Sequence, residues 1–518
     1  MRGLGKTRFL FLVGLASLAT ACASVDFDYP KAESTAPDPA TTADTYFGKE
    51  FVPDVVGKPE GQSGFYPVAD AIDSLAIRLL MANEAEQTID AQYYLLTGDV
   101  VGLAFLEGLL RAADRGVRVR LLLDDILTKG YDAGMAALDS HPNFEVRIFN
   151  PFANRSMRAL DGITSFSRVN RRMHNKSFTV DSQITMVGGR NIAAEYFGGR
   201  EDSSFGDLDV VGIGPVVMDV SNMFDSYWNH AAAAPVPSFA DMPDDPAAAL
   251  EQLRERLKQS RAEIIDSPYA EAVRRSADHF IKTDETLFTW APYTVAYDSP
   301  DKSDKKKAEE AASITKPISE SLSAAKEEII IVSPYFVPLK SGVARIKEII
   351  DSGIEVIIIT NSYGANNHKQ VHGGYAPYRK RLLEAGARLY EVRPDTEVLG
   401  DDVMRTKDTN STLHTKAFLV DRRDLFIGSF NFDPRSANIN TELGVIIESE
   451  KLGEYMGGRV DQTLPGNAYE VFLNEDGKIR WRAMDGGVET IFDKEPDTSW
   501  WNRFTLGFYR ILPIRGQL

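Results

Sequence analysis

The sequence predicts an α/β protein built from two copies of one half that share a single site. Three observations carry this. Apolar strands alternate with amphipathic helices in two separate stretches. A short histidine–lysine motif occurs twice with the same internal spacing. The 518-residue length exceeds what one hydrophobic core organises, so two lobes are expected.

The first copy opens with a helical stretch over 69–85 and an apolar strand over 88–94. An amphipathic helix over 101–115 and a strand over 117–123 follow. The second copy repeats the order: helix 314–325, strand 328–335, helix 341–352, strand 355–360. Strands separated by helices imply a largely parallel sheet. An Ala/Pro-rich stretch from Ala231 to Ala249 and a charge run from Ser299 to Glu310 read as connectors, with a helical insert near Ala247–Ser276 between them. The expected division is a leader over 1–22, a flexible tether over 23–63, a first lobe over 64–230, a connector over 231–279 and a second lobe over 280–518. The tether expectation rests on a stretch rich in Ala, Thr, Asp, Pro and Ser.

The leader has a basic start (Arg2, Lys6, Arg8), an apolar run from Phe9 to Ala19 and small residues up to Cys22, the pattern of a secretory signal. The run is short for a membrane span. The segment Leu18-Ala19-Thr20-Ala21-Cys22 resembles a bacterial lipobox, which would make Cys22 the acylated first residue of an envelope protein facing the periplasm. The plain alternative is a cleaved signal with an incidental cysteine. Cys22 is the chain's one cysteine, so an internal disulfide is ruled out. The net charge of −17 argues against a general nucleic-acid binder, because such affinity rests on basic surface.

The chemistry concentrates in the duplicated motif. One copy reads His174-Asn175-Lys176, Asp181 and Gly188-Gly189-Arg190-Asn191; the other reads His414-Thr415-Lys416, Asp421 and Gly428-Ser429-Phe430-Asn431. On a strand, residues two apart share a side, so each histidine and its lysine would face one cleft. Imidazole can act as nucleophile or proton carrier near neutral pH. Lysine offsets charge growing on a phosphodiester, and the asparagine amides can donate to the same oxygens. A two-step displacement needs a nucleophile and a separate acid, which two facing copies provide.

The pattern His-x-Lys-x4-Asp-x6-Gly-Gly/Ser-x-Asn resembles the signature of the phospholipase D superfamily in its bilobed form. The flanking segments Asn170–Lys176, Ser429–Ser436 and Asn440–Gly444 are similar to those of bacterial cardiolipin synthases. The resemblance implies two phospholipase D-like α/β sandwich lobes related by a pseudo-twofold, with one active site between them. It implies a phosphatidyl-histidine intermediate, with His174 as nucleophile and His414 as acid and base; motif symmetry leaves that order open. It also implies anionic phospholipid substrates and a membrane setting, with phosphatidylglycerol as acceptor and phosphatidylglycerol or phosphatidylethanolamine as donor. A phospholipase D-type hydrolase, acting on lipid or on nucleic acid, is the alternative. A catalytically silent lipid-binding lipoprotein is a third reading, which the intact duplicate motif disfavours.

The expected site set is Lys176, Asp181, Lys416 and Asp421 beside the two histidines, with Asn191, Ser429 and Asn431 on the substrate. Glu442 and Asp207 are expected to orient the imidazoles, with Asp209 as an alternative to Asp207. Asp181 and Asp421 also begin apparent hairpin turns, which suits a supporting role. Gly189 lacks the hydroxyl that Ser429 offers. His372 is read either as a headgroup-pocket residue or as a locally bonded loop histidine. Arg171, Arg172, Arg422 and Arg423 could draw in anionic headgroups or could be solvated surface. The C-terminal stretch from Trp500 to Arg515 mixes aromatics, aliphatics and arginines, suited to a membrane interface or to a helix packed on the second lobe. No metal-ligand spacing and no phosphate-binding glycine loop occur, so no metal or cofactor is expected. A protein partner is left undetermined.

Overall fold

The computed structural model describes residues 25–155, 157–200, 203–282, 287–394, 410–509 and 517. The leader with Cys22 lies outside them.

The first lobe contributes β1 (Gln62–Val68), β2 (Thr88–Tyr93), β3 (Arg118–Asp124), β4 (Phe144–Phe149), β5 (Ser177–Val180), β6 (Ile184–Gly188), β7 (Ser203–Gly206), β8 (Asp209–Ile213) and β9 (Ala233–Pro235). β10 (Thr289–Tyr297) leads into the second lobe. There follow β11 (Glu328–Val332), β12 (Glu355–Asn361), β13 (Arg388–Val392), β14 (Asn410–Leu413), β15 (Ala417–Val420), β16 (Asp424–Gly428), β17 (Leu443–Glu448) and β18 (Ala468–Leu473). The hairpin β19 (Ile479–Asp485) and β20 (Val488–Phe492) extends the far edge.

Pairing in the first lobe runs β1–β8–β6–β5–β2–β3–β4–β9; in the second it runs β10–β17–β16–β15–β11–β12–β13–β18. The registers repeat as well: Ile89 pairs with Val180 and Ile329 with Val420. β1 and β10, the equivalent edges, pair antiparallel from Gln62–Pro292 to Phe65–Thr289 and join the halves into one sheet. This is the expected pair of α/β lobes with pseudo-twofold symmetry. The expectation of a largely parallel sheet needs correction. β2–β3–β4 and β11–β12–β13 are parallel, and each motif hairpin with its neighbours is antiparallel.

Local signals explain the elements. Asp70 and Asp99 cap the helices Ala71–Glu84 and Val100–Asp114 by accepting amides of their first turns. β2 is buried along its whole length and β12 along all but its first residue, as for strands covered on both faces. One buried cluster runs through the seam, joining Phe65, Leu122, Val187 and Trp228 of the first lobe to Ile330, Ile359, Leu413 and Leu425 of the second. The lobes therefore share a core rather than touch through a polar interface.

Two boundary expectations are corrected. The stretch read as a flexible tether is packed on the first lobe. Val25 is buried, its amide donating to Ala153 O at 3.2 Å, and Phe47 and Phe51 of the helix Tyr46–Val55 enter the first-lobe core. The physical reason is buried cations. Arg147 donates to Ala32 O at 2.6 Å and Arg120 to Ser34 O at 2.8 Å, so the polar strap satisfies guanidiniums that composition cannot reveal. The connector likewise belongs to the first lobe. β9 pairs with β4, and the helices Pro246–Ile264 and Pro268–Lys282 pack on Val100–Asp114 and Ala71–Glu84. Lys302, inside the charge run, is buried against Asp298 at 2.9 Å.

Candidate active site

Both motif histidines sit in extended segments just ahead of β5 and β15, not within the strands themselves. Their backbones are stitched across the seam. The His174 amide donates to Thr441 O at 2.8 Å, and the His414 amide donates to Gly206 O at 2.7 Å. β7 and β14 pair in parallel beside the second of these contacts.

The carboxylates cross over between lobes. His174 Nδ1 lies 2.7 Å from Glu442 Oε2 of the second lobe. His414 Nδ1 lies 2.5 Å from Asp207 Oδ2 of the first. Each lobe thus orients the other lobe's imidazole, and in both rings Nε2 is the nitrogen left for substrate. Asp209, the alternative orienter, is instead bound by Arg78, Arg190 and Ser74 in a buried cluster.

Glu442 is held from several sides. Ser429 Oγ donates to Oε2 at 2.5 Å and Ser436 Oγ to Oε1 at 2.8 Å. The Glu442 amide donates to Asp298 Oδ2 at 3.0 Å. The expected substrate contact of Ser429 is thereby corrected, because its hydroxyl is spent on Glu442. Gly189, at the matching position, has a different reason to be small. A Cβ there would lie 2.2 Å from Asp207 Oδ1, so the glycine makes room for the carboxylate that orients His414.

Lys176 Nζ donates to the His174 carbonyl at 2.6 Å. Lys416 Nζ donates to the His414 carbonyl and lies 2.7 Å from His414 Nδ1. Burial sets the proton affinities. It lowers Lys176 to about 7 and Lys416 to about 8. It also lowers His174 to about 4 against the pull of Glu442, and His414 to about 3 with Lys416 adding to the effect. Burial alone would raise Glu442, but His174 and Lys176 more than reverse this and leave it below the ordinary value. Both imidazoles are therefore neutral at pH 7 before an anion enters. A bound phosphodiester would favour the imidazolium form and supply the acid.

Aromatic rings, which the sequence reading missed, shape the cleft. Tyr94 sits edge-on to His174 at 4.9 Å between centroids. Phe205 stacks on His414 at 5.4 Å, while Tyr196 and Tyr335 approach it edge-on at 5.0 and 6.3 Å. Tyr94 and Tyr335 follow the matching strands β2 and β11 but are one residue out of register in the repeat, so aligning the two copies does not pair them. Asn191 Nδ2 donates to Tyr196 Oη at 2.9 Å. Among the described residues, the buried side-chain oxygens of Asn191 and Asn431 have no hydrogen-bond partner, which suits amides that meet a ligand.

Asp181 and Asp421 are both taken up by backbone amides. Asp181 accepts the amides of Glu86, Gln87 and Thr88, and Asp421 accepts those of Lys326, Glu327 and Glu328. Each begins a tight hairpin turn in the left-handed region (φ 52° at both). They fix the motif hairpin to the head of the neighbouring parallel strand. His372 is buried in the helix Lys369–Tyr375 and bonds Glu495 at 2.6 Å, so the headgroup-pocket reading fails. Arg172 is buried with Asp124 and Asn150, and Arg171 donates to Lys302 O and Asn438 O. Arg422 pairs with Glu328 and Asp461, and Arg423 with Asp424. Each of the four has a partner within the protein. Among the described residues, no group of three or more His, Cys, Asp or Glu side chains could hold a metal.

Two histidine–lysine motifs meeting across a pseudo-twofold, each imidazole oriented by the opposite lobe, define the bilobed phospholipase D-like class. The comparisons agree. A family model described as "Cardiolipin synthase, PLD-like domain" matches residues 79–228 and 318–462. Cardiolipin synthase C of Escherichia coli is 41% identical over 464 residues, 88% of this chain and 97% of that protein. A cardiolipin synthase of Halalkalibacterium halodurans is 24% identical over 71% of this chain and 59% of that protein. Phosphatidylserine synthase of Haemophilus influenzae, a solved structure, superposes with a TM-score of 0.56 at 12% identity, covering 91% of this chain and 99% of that one; this likeness concerns the fold. The chain belongs to the family of phospholipase D-like cardiolipin synthases.

Proposed function

We propose that this protein is a phosphatidyltransferase that makes cardiolipin. The carrying observation is the pair of imidazoles, each with Nδ1 on a carboxylate of the opposite lobe and each beside a lysine. The 41% identity to a cardiolipin synthase supports lipid substrates over other phosphodiesters.

In the reaction, His174 Nε2 attacks the donor phosphorus and forms a P–N bond. The P–O bond to the leaving alcohol breaks, and His414 Nε2–H protonates that oxygen. The glycerol hydroxyl of phosphatidylglycerol then gives its proton to His414. Its oxygen attacks phosphorus, the P–N bond breaks and cardiolipin is released. Lys176 and Lys416 offset charge on the equatorial oxygens. His174 takes the nucleophile's part because its surroundings are less enclosed; it has one aromatic neighbour, Tyr94, where His414 has three. The donor is phosphatidylglycerol or phosphatidylethanolamine. The lipobox-like leader supports export and acylation at Cys22, facing the periplasm. Among the described residues, no helix is long and apolar enough to cross a membrane.

The test incubates purified protein with vesicles of phosphatidylglycerol, with and without phosphatidylethanolamine, and reads the lipids by mass spectrometry. Cardiolipin that disappears in His174→Ala is the expected result. Phosphatidic acid as the sole product would make water the acceptor and overturn the synthase reading.

A further inference from the structure

Large apolar side chains are exposed at two places that flank the histidines. On the first lobe, Met157 is exposed just ahead of the short helix Arg158–Thr164, as are Ile163 (82%) on it and Phe166 (53%) on the next, Phe166–Val169. Asn170 ends this segment, four residues before His174. On the second lobe, the helix Trp500–Tyr509 exposes Trp500 (69%), Trp501 (59%) and Phe504 (58%). Phe504 stacks on both tryptophans, 5.8 Å from Trp500 and 5.4 Å from Trp501.

The second patch is fixed in place. Its helix packs on Lys369–Tyr375, and the preceding segment is pinned by Glu495, which accepts from Arg379 and meets His372 in a buried cluster. The residues leading into Lys369–Tyr375 reach the site. Tyr335 donates to Asn367 Oδ1 at 2.7 Å, lies 5.3 Å from the His368 ring and faces His414. Gln517 lies beside the first patch, where Asn170 Nδ2 donates to its Oε1 at 2.7 Å.

The strap sets a distance. Val25 is buried beside Ala153, close in sequence to Met157, and only two residues separate it from Cys22. An extended chain covers about 3.5 Å per residue, so an acyl group on Cys22 would hold this face within roughly 10 Å of the lipid.

We propose that these two patches form one surface that seats the mouth of the active site on a phospholipid bilayer. Exposed tryptophans suit the interfacial zone, where an apolar ring body and a polar N–H are both accommodated. The arrangement admits lipid headgroups to the site from the membrane plane. It rests on the lipid-substrate reading above, and its test does not depend on turnover.

Full-length protein is reconstituted in phosphatidylglycerol and phosphatidylethanolamine vesicles whose acyl chains carry bromine, and tryptophan fluorescence is recorded. The chain holds five tryptophans, so Trp500→Phe/Trp501→Phe isolates the pair at the patch while keeping its apolar bulk. Wild type and His174→Ala should be quenched alike, and the double phenylalanine variant should lose most of the quenching. Ile163→Trp in that background should restore it. Quenching unchanged by the double variant, or absent in Ile163→Trp, would overturn the single surface. In a second arm, Trp500→Ser/Trp501→Ser should slow turnover tenfold or more on vesicles and leave it unchanged on the same lipids in detergent micelles. An equal loss in micelles would place the patch in the fold of the site and also overturn the proposal. Quenching without any product from wild type would refute the transferase reading alone.

Discussion

Glu442→Gln tests the crossed carboxylates directly. The substitution keeps shape and removes charge. With its oxygen at the Oε2 position the carboxamide can still accept from His174 Nδ1 and the Ser429 hydroxyl, and its NH2 group, at the Oε1 position, can donate to the Ser436 hydroxyl, so the site keeps its packing. What is lost is the anion that steadies a positive imidazole at 2.7 Å. A hydrogen bond to a charged group contributes about 1.5–3 kcal/mol. At about 1.36 kcal/mol per tenfold in rate, kcat should fall roughly 10- to 150-fold. If the ring also adopts the wrong tautomer, the loss should approach the ~10⁴ seen when a triad carboxylate is neutralised. Glu442 also holds the His174 pKa up, so its neutralisation should move that value further below about 4. The assay is the initial rate of cardiolipin formation by mass spectrometry, with thermal unfolding by circular dichroism as the folding control. Unchanged kcat in a normally folded variant would refute the crossed-lobe argument.

Other outcomes follow from the same geometry. The alkaline limb of the kcat/KM profile should report the two lysines. It should fall above about pH 7 to 8, where Lys176 and Lys416 lose the cationic form, and a rate flat from pH 6 to 10 would contradict the role given to the lysines. Gly189→Ser should abolish turnover in a folded protein, because the new Cβ meets Asp207 Oδ1 at 2.2 Å; an active variant would show that His414 does not need that carboxylate. Asp181→Asn should lower stability by about 1–3 kcal/mol, seen as a reduced Tm, because one of three buried amide contacts becomes an amide facing an amide. Its activity per folded molecule should be retained, and a selective loss of kcat would return Asp181 to the chemistry.

Much of the architecture is legible in the sequence because it is local. The helix expected over 69–85 is Ala71–Glu84, and the strand expected over 355–360 is β12 at Glu355–Asn361. Capping aspartates and apolar runs act over a few residues, so a linear reading recovers them. The duplicated motif is equally local, since each copy is one hairpin with its lead-in segment. Its repetition implies a shared site because one hairpin supplies one imidazole.

What the tertiary structure alone decides is which side chain meets which. His174 and Glu442 are 268 residues apart and His414 and Asp207 are 207 apart, so no spacing rule pairs them across lobes rather than within one. The pairing follows from joining the equivalent edges β1 and β10, which turns each lobe's carboxylate toward the other lobe's histidine. The same docking commits Ser429 to Glu442 and folds a polar N-terminal strap onto Arg120 and Arg147. Composition records that a residue is polar. Whether its partner is water, substrate or a buried ion depends on surfaces that exist only after the two sheets have come together.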